Sequence, residues 1–142
     1  MTDEAPLRAL NARRSLLSTL WIFVMFNYLY ADVFGLMDSA QLKQILSGKV
    51  GNIQITQSFL FAGALLMEVP IAMVVLSRLL PHNANRWANI ASGTLKTAAV
   101  GASLFVGKPT LYYLFFSVIE LACTLLIVWL AWRWRNPLSA SG

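Results

Sequence analysis

The chain has one cysteine, Cys123, and one histidine, His82, in 142 residues. A lone cysteine rules out an internal disulfide and a dithiol redox pair. A lone histidine, read as lying in a loop, rules out a bis-histidine haem, a histidine-rich metal site and a Ser-His-acid set within the apolar segments. No Gly-rich phosphate loop or nucleotide fingerprint occurs. Charge is also scarce: Asp, Glu, Lys and Arg together make up 12% of the residues. The formal charge of +5 comes from dispersed basic residues with no basic run, so nucleic acid is not expected as a partner.

What the sequence has in abundance is apolar length. Hydrophobic residues make up 58% of the chain. They concentrate in four stretches, about 15–37, 54–80, 86–106 and 110–134, each longer than the ~20 residues that cross a hydrocarbon core about 30 Å thick. The expectation is an all-α integral membrane four-helix bundle forming one domain over 1–142. The first stretch is about twice the length of a signal-peptide core and lacks a small-x-small site after it, so it reads as a retained helix. The short links at 81–85 and 107–109 make the last three helices antiparallel neighbours. The longer connection at 38–53 contains the amphipathic run Leu42, Ile45 and Leu46 with Lys43 and Gln44 opposite, suited to lying on a membrane surface. Gly48 and Gly51 end that run, and Ser139 to Gly142 are expected to form a disordered tail.

All seven arginines, at 8, 13, 14, 78, 86, 133 and 135, fall at one end of the expected helices. Lys43, Lys49 and Lys108 fall at the other. That bias predicts both termini in the cytoplasm of a multi-pass protein. Trp87, Trp129, Trp132 and Trp134 read as an interfacial belt at the arginine end, and Tyr28, Tyr30, Tyr112 and Tyr113 gather toward the opposite half.

Inside the apolar stretches stand Asp32, Glu68, Lys96 and Glu120. A charge near the bilayer centre costs about 2.5–3.5 kcal/mol on insertion scales, so these four mark the candidate ligand- or proton-binding site. Helical periodicity supplies companions. Asn85, Asn89, Ser92, Lys96 and Ser103 form one stripe, and Tyr113, Ser117, Glu120 and Thr124 another. Gln57, Ala64, Glu68 and Ala72 form a third, while Tyr28 and Asp32 share a face, with Asn27 beside them. Four stripes, one per helix, are expected to face a polar interior. Counting from the ends of the stretches puts Glu68, Lys96 and Glu120 at mid-depth and Asp32 roughly 9 Å beyond the middle. If every group ionises, three carboxylates face one ammonium; a dry interior does not hold that excess, so a proton, water or a cationic ligand must enter. Asp32, Glu68, Glu120 and Asn27 carry oxygen atoms suited to a hard cation, but no metal and no cofactor is assigned.

Pro70 lies just after Glu68 and denies a donor to the Leu66 carbonyl, which makes it the expected hinge. Gly93, Thr97 and Gly101 at four-residue spacing permit close helix contact, within the bundle or in a homo-oligomer. The segments Met25-Phe26-Asn27-Tyr28-Leu29-Tyr30-Ala31-Asp32, Glu68-Val69-Pro70-Ile71-Ala72-Met73 and Tyr112-Tyr113 leading to Ile119-Glu120 resemble those of uncharacterised bacterial four-helix membrane proteins, broadly similar to DoxX-like proteins. That resemblance spans the chain and implies the fold and a bacterial inner-membrane location, but no activity. A more distant likeness is to the four-helix sterol-isomerase and sigma-2-receptor group, whose intramembrane acids bind cationic or carbocation-like ligands; Lys96 departs from that pattern. Three functions follow as expectations: binding or transport of a proton or small polar or cationic ligand, service as an accessory subunit of a larger membrane complex, and isomerase-like proton transfer by a buried acid.

Overall fold

The structure is a computed structural model that describes residues 4–106 and 108–135. Gly107 and the expected tail at Ser139 to Gly142 lie outside the described residues. Four long helices, α1 (Glu4–Met37), α3 (Gln57–Leu79), α4 (His82–Ser103) and α5 (Leu111–Trp132), run alternately up and down. Packing joins α1 to α3, α3 to α4, α4 to α5 and α5 back to α1, so each helix lies against two others. Leu17, Trp21, Val24 and Ile127 are fully buried and hold the core between α1 and α5.

The connection between α1 and α3 is ordered by its own polar side chains. Asp38 Oδ1 accepts from the amides of Ala40 at 2.9 Å and Gln41 at 3.3 Å, capping the short helix α2 (Ser39–Leu46). Then comes a minimal antiparallel hairpin, β1 (Lys49–Val50) with β2 (Ile53–Gln54), which the sequence did not announce. Gly48 at φ 76° and Gly51 at φ 56° supply the left-handed turns it needs. Thr56 Oγ1 accepts from the amide of Phe59 at 3.1 Å and starts α3.

Several expected boundaries move. α1 begins at Glu4 rather than near 15, and α4 at His82 rather than 86, so His82 belongs to a helix and not to a loop. Three helices, α1, α3 and α5, are long and apolar enough to cross a membrane; α4 is not among them. The reason is its inward stripe: Asn85, Asn89 and Lys96 are buried, while the exposed positions include Trp87, Ala91, Leu95 and Ala98. The polar residues that lower its hydropathy face the other helices. Trp134 also departs from the expected belt, being buried with its ring 4.8 Å from that of His82. Trp87, Trp129 and Trp132 are exposed, and Arg86 and Arg133 lie over the rings of Trp87 and Trp129.

The small residues of α4 divide between two situations. A Cβ on Gly93 would stand 2.6 Å from Val128 Cγ2 and 3.4 Å from the Thr124 carbonyl, and Val128 on a helix has little χ1 freedom to turn away. Gly93 is therefore the contact point of α4 with α5, reinforced by the Thr97 hydroxyl donating to Thr124 Oγ1 at 2.8 Å. A Cβ on Gly101 would meet nothing within 4 Å. We expect Gly93→Ala to destabilise the protein by about 1–3 kcal/mol through overpacking and Gly101→Ala to be neutral or to stabilise by up to about 1 kcal/mol. Thermal denaturation in detergent separates the two; equal shifts would show that the seam does not lie at Gly93.

Candidate functional site

At the end of the packing that carries the arginines, a closed hydrogen-bond network ties α1, α3 and α4 together. Trp21 Nε1 donates to Asn89 Oδ1 at 2.8 Å, and Ser77 Oγ donates to the same oxygen at 3.3 Å. Asn89 Nδ2 donates to Asn85 Oδ1 at 2.7 Å, and Asn85 Nδ2 to the Ser77 carbonyl at 2.6 Å. One turn away, Ser18 Oγ donates to the Val74 carbonyl and accepts from Arg78 Nε at 3.0 Å. Arg14 reaches the carbonyl of Leu80. Trp21, Ser77, Asn85 and Asn89 are fully buried, and the side-chain polar groups of these four find partners within the network. At the same end Arg14 Nε, His82 Nε2 and Arg86 Nε are buried without a hydrogen-bond partner, so the closure is that of these four residues and not of the whole end.

The opposite half is different. Between α1 and α3 lies a cavity of about 290 Å³ lined by Met25, Phe26, Tyr28, Leu29, Asp32, Met67, Pro70 and Ile71. Lys96 reaches toward it from α4 with 1% of its surface exposed. Its Nζ lies 4.0 Å from the centroid of the Tyr28 ring and 3.8 Å from Met67 Sδ. Asp32 and Glu120 are the acids near enough to interact with it through space, yet neither makes an ion pair with it: among the described residues the only ion pair is Arg8 with Glu4. Glu120 is 5% exposed, and its Oε1 has no hydrogen-bond partner; nor has the Tyr28 hydroxyl. An ammonium, a carboxylate oxygen and a phenol are thus brought together without partners of the usual kind. A buried polar group left without one costs about 1–3 kcal/mol. Such a set is suited to water, a proton or a ligand that bonds all three.

The expected supporting residues take varied places. Ser117 and Thr124 are buried on α5, and Thr124 Oγ1 donates to the Glu120 carbonyl at 2.9 Å, one turn from the acid. Tyr113 donates to Ser103 Oγ at 2.6 Å, joining the two stripes as spaced. Asn27 is buried but its amide bonds the Phe23 carbonyl of its own helix at 2.9 Å. Asn89 belongs to the closed network, and Ser92 is half-buried between the two halves. Pro70 lines the cavity inside a helix that continues through it.

Glu68 is the principal correction. The stripe Gln57, Ala64, Glu68 and Ala72 was expected to face inward beside Lys96. In the structure the buried residues of α3 are Pro70, Met73 and Ser77, and at 100° per residue Glu68 projects nearly opposite them. It is exposed, as is every residue at 57–65. The acids that accompany Lys96 are Asp32 and Glu120. Sequence reasoning also missed Trp21, Ser77 and Met67. For Trp21 a signal existed: it lies seven residues before Tyr28, on the same face of α1.

The chain belongs to a family of unknown function, DUF6326, whose model matches residues 8–141. No curated protein and no solved structure matches it.

The closed network yields a stability prediction. Asn89→Leu leaves the Trp21 indole N–H, the Ser77 hydroxyl and Asn85 Oδ1 without the partners they have in the network and should lower stability by about 1–3 kcal/mol, measured by thermal denaturation in detergent. Ser92→Ala on the same stripe should change it by less than about 0.5 kcal/mol. A loss of the same size in both variants would count against the network.

Proposed function

We propose that the chain is a multi-pass protein of the bacterial inner membrane, a four-helix bundle with both termini in the cytoplasm, that binds a proton or a small polar or cationic ligand beside Asp32, Tyr28, Lys96 and Glu120. The observation that carries this reading is the unpartnered Tyr28 hydroxyl and Glu120 Oε1 gathered with Lys96 next to a cavity. Two acids near one ammonium leave one negative charge in excess when all are ionised, which favours a cation or a proton as the guest. Asp32 is exposed at the cavity edge and is positioned to attract the guest. Tyr28 offers a ring face and a hydroxyl, and Lys96 tunes the acids by its own charge. Pro70 puts the weakest point of α3 at the cavity wall.

The bonded network at the arginine end favours binding over free passage. Asn85, Asn89, Trp21 and Ser77 occupy the arginine end and leave no polar group of their network in need of a guest, so conduction would require that network to open. The accessory-subunit reading draws on the same observation, since a fully satisfied network also serves to fix helix register.

Two experiments test these proposals. Native mass spectrometry of gently purified protein should show a bound small molecule in the wild type and its loss in Asp32→Asn and Glu120→Gln. Proteoliposomes with a pH-sensitive dye and a panel of monovalent cations measure proton or cation movement. Absence of both binding and flux would leave the accessory-subunit reading ahead. Charge coupling gives a sharper expectation: Lys96→Met destabilises by leaving two acids without their basic neighbour, Glu120→Gln added to it recovers part of that loss, and Glu68→Gln added instead recovers none. Equal rescue by both would place Glu68 in the cluster after all. The arginine distribution supports the orientation: a reporter fused after Gly142 should be active only in a form that works in the cytoplasm, and activity of a periplasm-dependent reporter would reverse the topology.

A further inference from the structure

The seam between α1 and α3 has two arginines at one end and a cavity further along. Arg14 Nη2 donates to the Leu80 carbonyl at 2.8 Å, just past the end of α3. Arg78 Nε donates to Ser18 Oγ at 3.0 Å, one turn on from Arg14. A carbonyl and a hydroxyl orient these guanidiniums without neutralising them. Among the described residues neither meets a carboxylate, and the sequence has no acid between Glu4 and Asp32 or between Glu68 and Glu120. Two cations on one seam with no acid favour an anion, and guanidinium N–H groups match phosphate oxygens in particular.

Beyond the arginines the same seam turns apolar. On α1, Ile22 and Phe26 continue the four-residue steps from Arg14 and Ser18, with Leu29 three further on; on α3, Val75, Ile71 and Met67 step back from Arg78 by three, four and four. All six are exposed. Phe26, Leu29, Met67 and Ile71 also line the cavity of about 290 Å³, so the seam is concave there and open to the outside of the bundle. From Arg78 to Met67 the helix rises about 16 Å. One leaflet contributes about 15 Å of the hydrocarbon core. A ligand that fits has a phosphate at one end and one leaflet's length of hydrocarbon at the other.

We infer that the α1–α3 seam binds an anionic phospholipid of the arginine-end leaflet, with its phosphate at Arg14 and Arg78 and one acyl chain lying along Val75, Ile22, Ile71 and Phe26 to the rim of the cavity. This rests on the membrane reading proposed above, but not on the small guest proposed beside Asp32 and Glu120. An anionic headgroup fits better than a zwitterionic one, because two guanidiniums repel a second cation on the lipid. A free phosphate would use the arginines and leave the apolar groove unfilled, so the headgroup and the chain together select the lipid. With both termini in the cytoplasm the site faces the cytoplasmic leaflet, where anionic lipids attract basic residues.

Native mass spectrometry of the full chain, gently purified in detergent and titrated with phosphatidylglycerol, phosphatidylethanolamine or inorganic phosphate, tests this. Phosphatidylglycerol should form a one-to-one adduct at lower concentration than phosphatidylethanolamine, and inorganic phosphate should not displace it. Arg14→Gln and Arg78→Gln should each weaken that adduct by roughly fivefold, and Arg133→Gln, at the same end but off the seam, should not. Val75→Trp, on an exposed position, should weaken it at unchanged charge by filling the groove, and the thermal transition of each variant shows that it has folded. Equal binding of the two lipids, equal loss in Arg133→Gln, displacement by inorganic phosphate, or an adduct indifferent to Val75→Trp would overturn the site. The small-molecule adduct and its dependence on Asp32 and Glu120 are read in the same spectra, so either site can fail while the other stands. Recovery of the chain in the soluble fraction of cells would overturn the lipid site together with the membrane reading.

Discussion

The carboxamide of Asn89 is the joint on which the packing depends. Its oxygen accepts from Trp21 on α1 and Ser77 on α3, and its nitrogen donates to Asn85 one turn earlier on its own helix. Three helices are thereby fixed in rotation as well as in position, because a carboxamide serves all these partners in only one orientation. Apolar contacts between such helices are non-directional and would tolerate slippage. Once Asn89 is placed, the rest of its stripe is placed too: Lys96 lies seven residues on and enters the interior at the level of Tyr28 and Met67.

Fixing one half so firmly leaves the other half room to differ. Toward the hairpin end α3 draws on few neighbours, with 57–65 wholly exposed, while α4 and α5 stay in close contact through Gly93 and the Thr97–Thr124 bond. The cavity lies beyond that exposed stretch, where Met67, Pro70 and Ile71 of α3 face α1. Asp32, Tyr28 and Lys96 stand around that opening because their helices are held from below, not because they bond to one another. The Tyr28 hydroxyl and Glu120 Oε1 are thus positioned by their neighbours and left without hydrogen-bond partners of their own.

Much of this was legible in the sequence. The spacing of Asn85, Asn89 and Lys96, and of Tyr113, Ser117, Glu120 and Thr124, identified two inward faces. The interior placement of Lys96 and Glu120 followed, and the amphipathic run at 42–46 proved to be helix α2. Glu68 was misplaced for a definite reason: periodicity tells which residues share a face but carries no sign saying which way the face points. On α4 and α5 the opposite faces are apolar and the choice is easy. On α3 polar residues stand on both faces, Gln57 and Glu68 on one and Ser77 on the other, and the assumption that a charge must point inward within its own chain decided the matter wrongly. Trp21 was passed over because its single N–H is invisible to hydrophobic pattern, although it occupies the face of Tyr28. The hairpin lay beyond reach because strands of two residues leave no alternation to read.

One constraint, that a polar group in an apolar setting must find a partner, is met here to three different degrees, and the differences divide the molecule by role. Around Asn89 it is met within the chain, and the consequence is rigidity. Around Lys96, Tyr28 and Glu120 it is met in part, by a ring face and a thioether, which leaves bonding capacity for something small enough to enter a cavity of about 290 Å³. At Glu68, exposed on α3, no hydrogen bond or ion pair among the described residues meets it. The same chemistry therefore has different consequences according to how much of each polar group the fold leaves without a partner. Satisfaction, more than charge or hydropathy alone, separates the residues that hold this bundle from those that wait for something else.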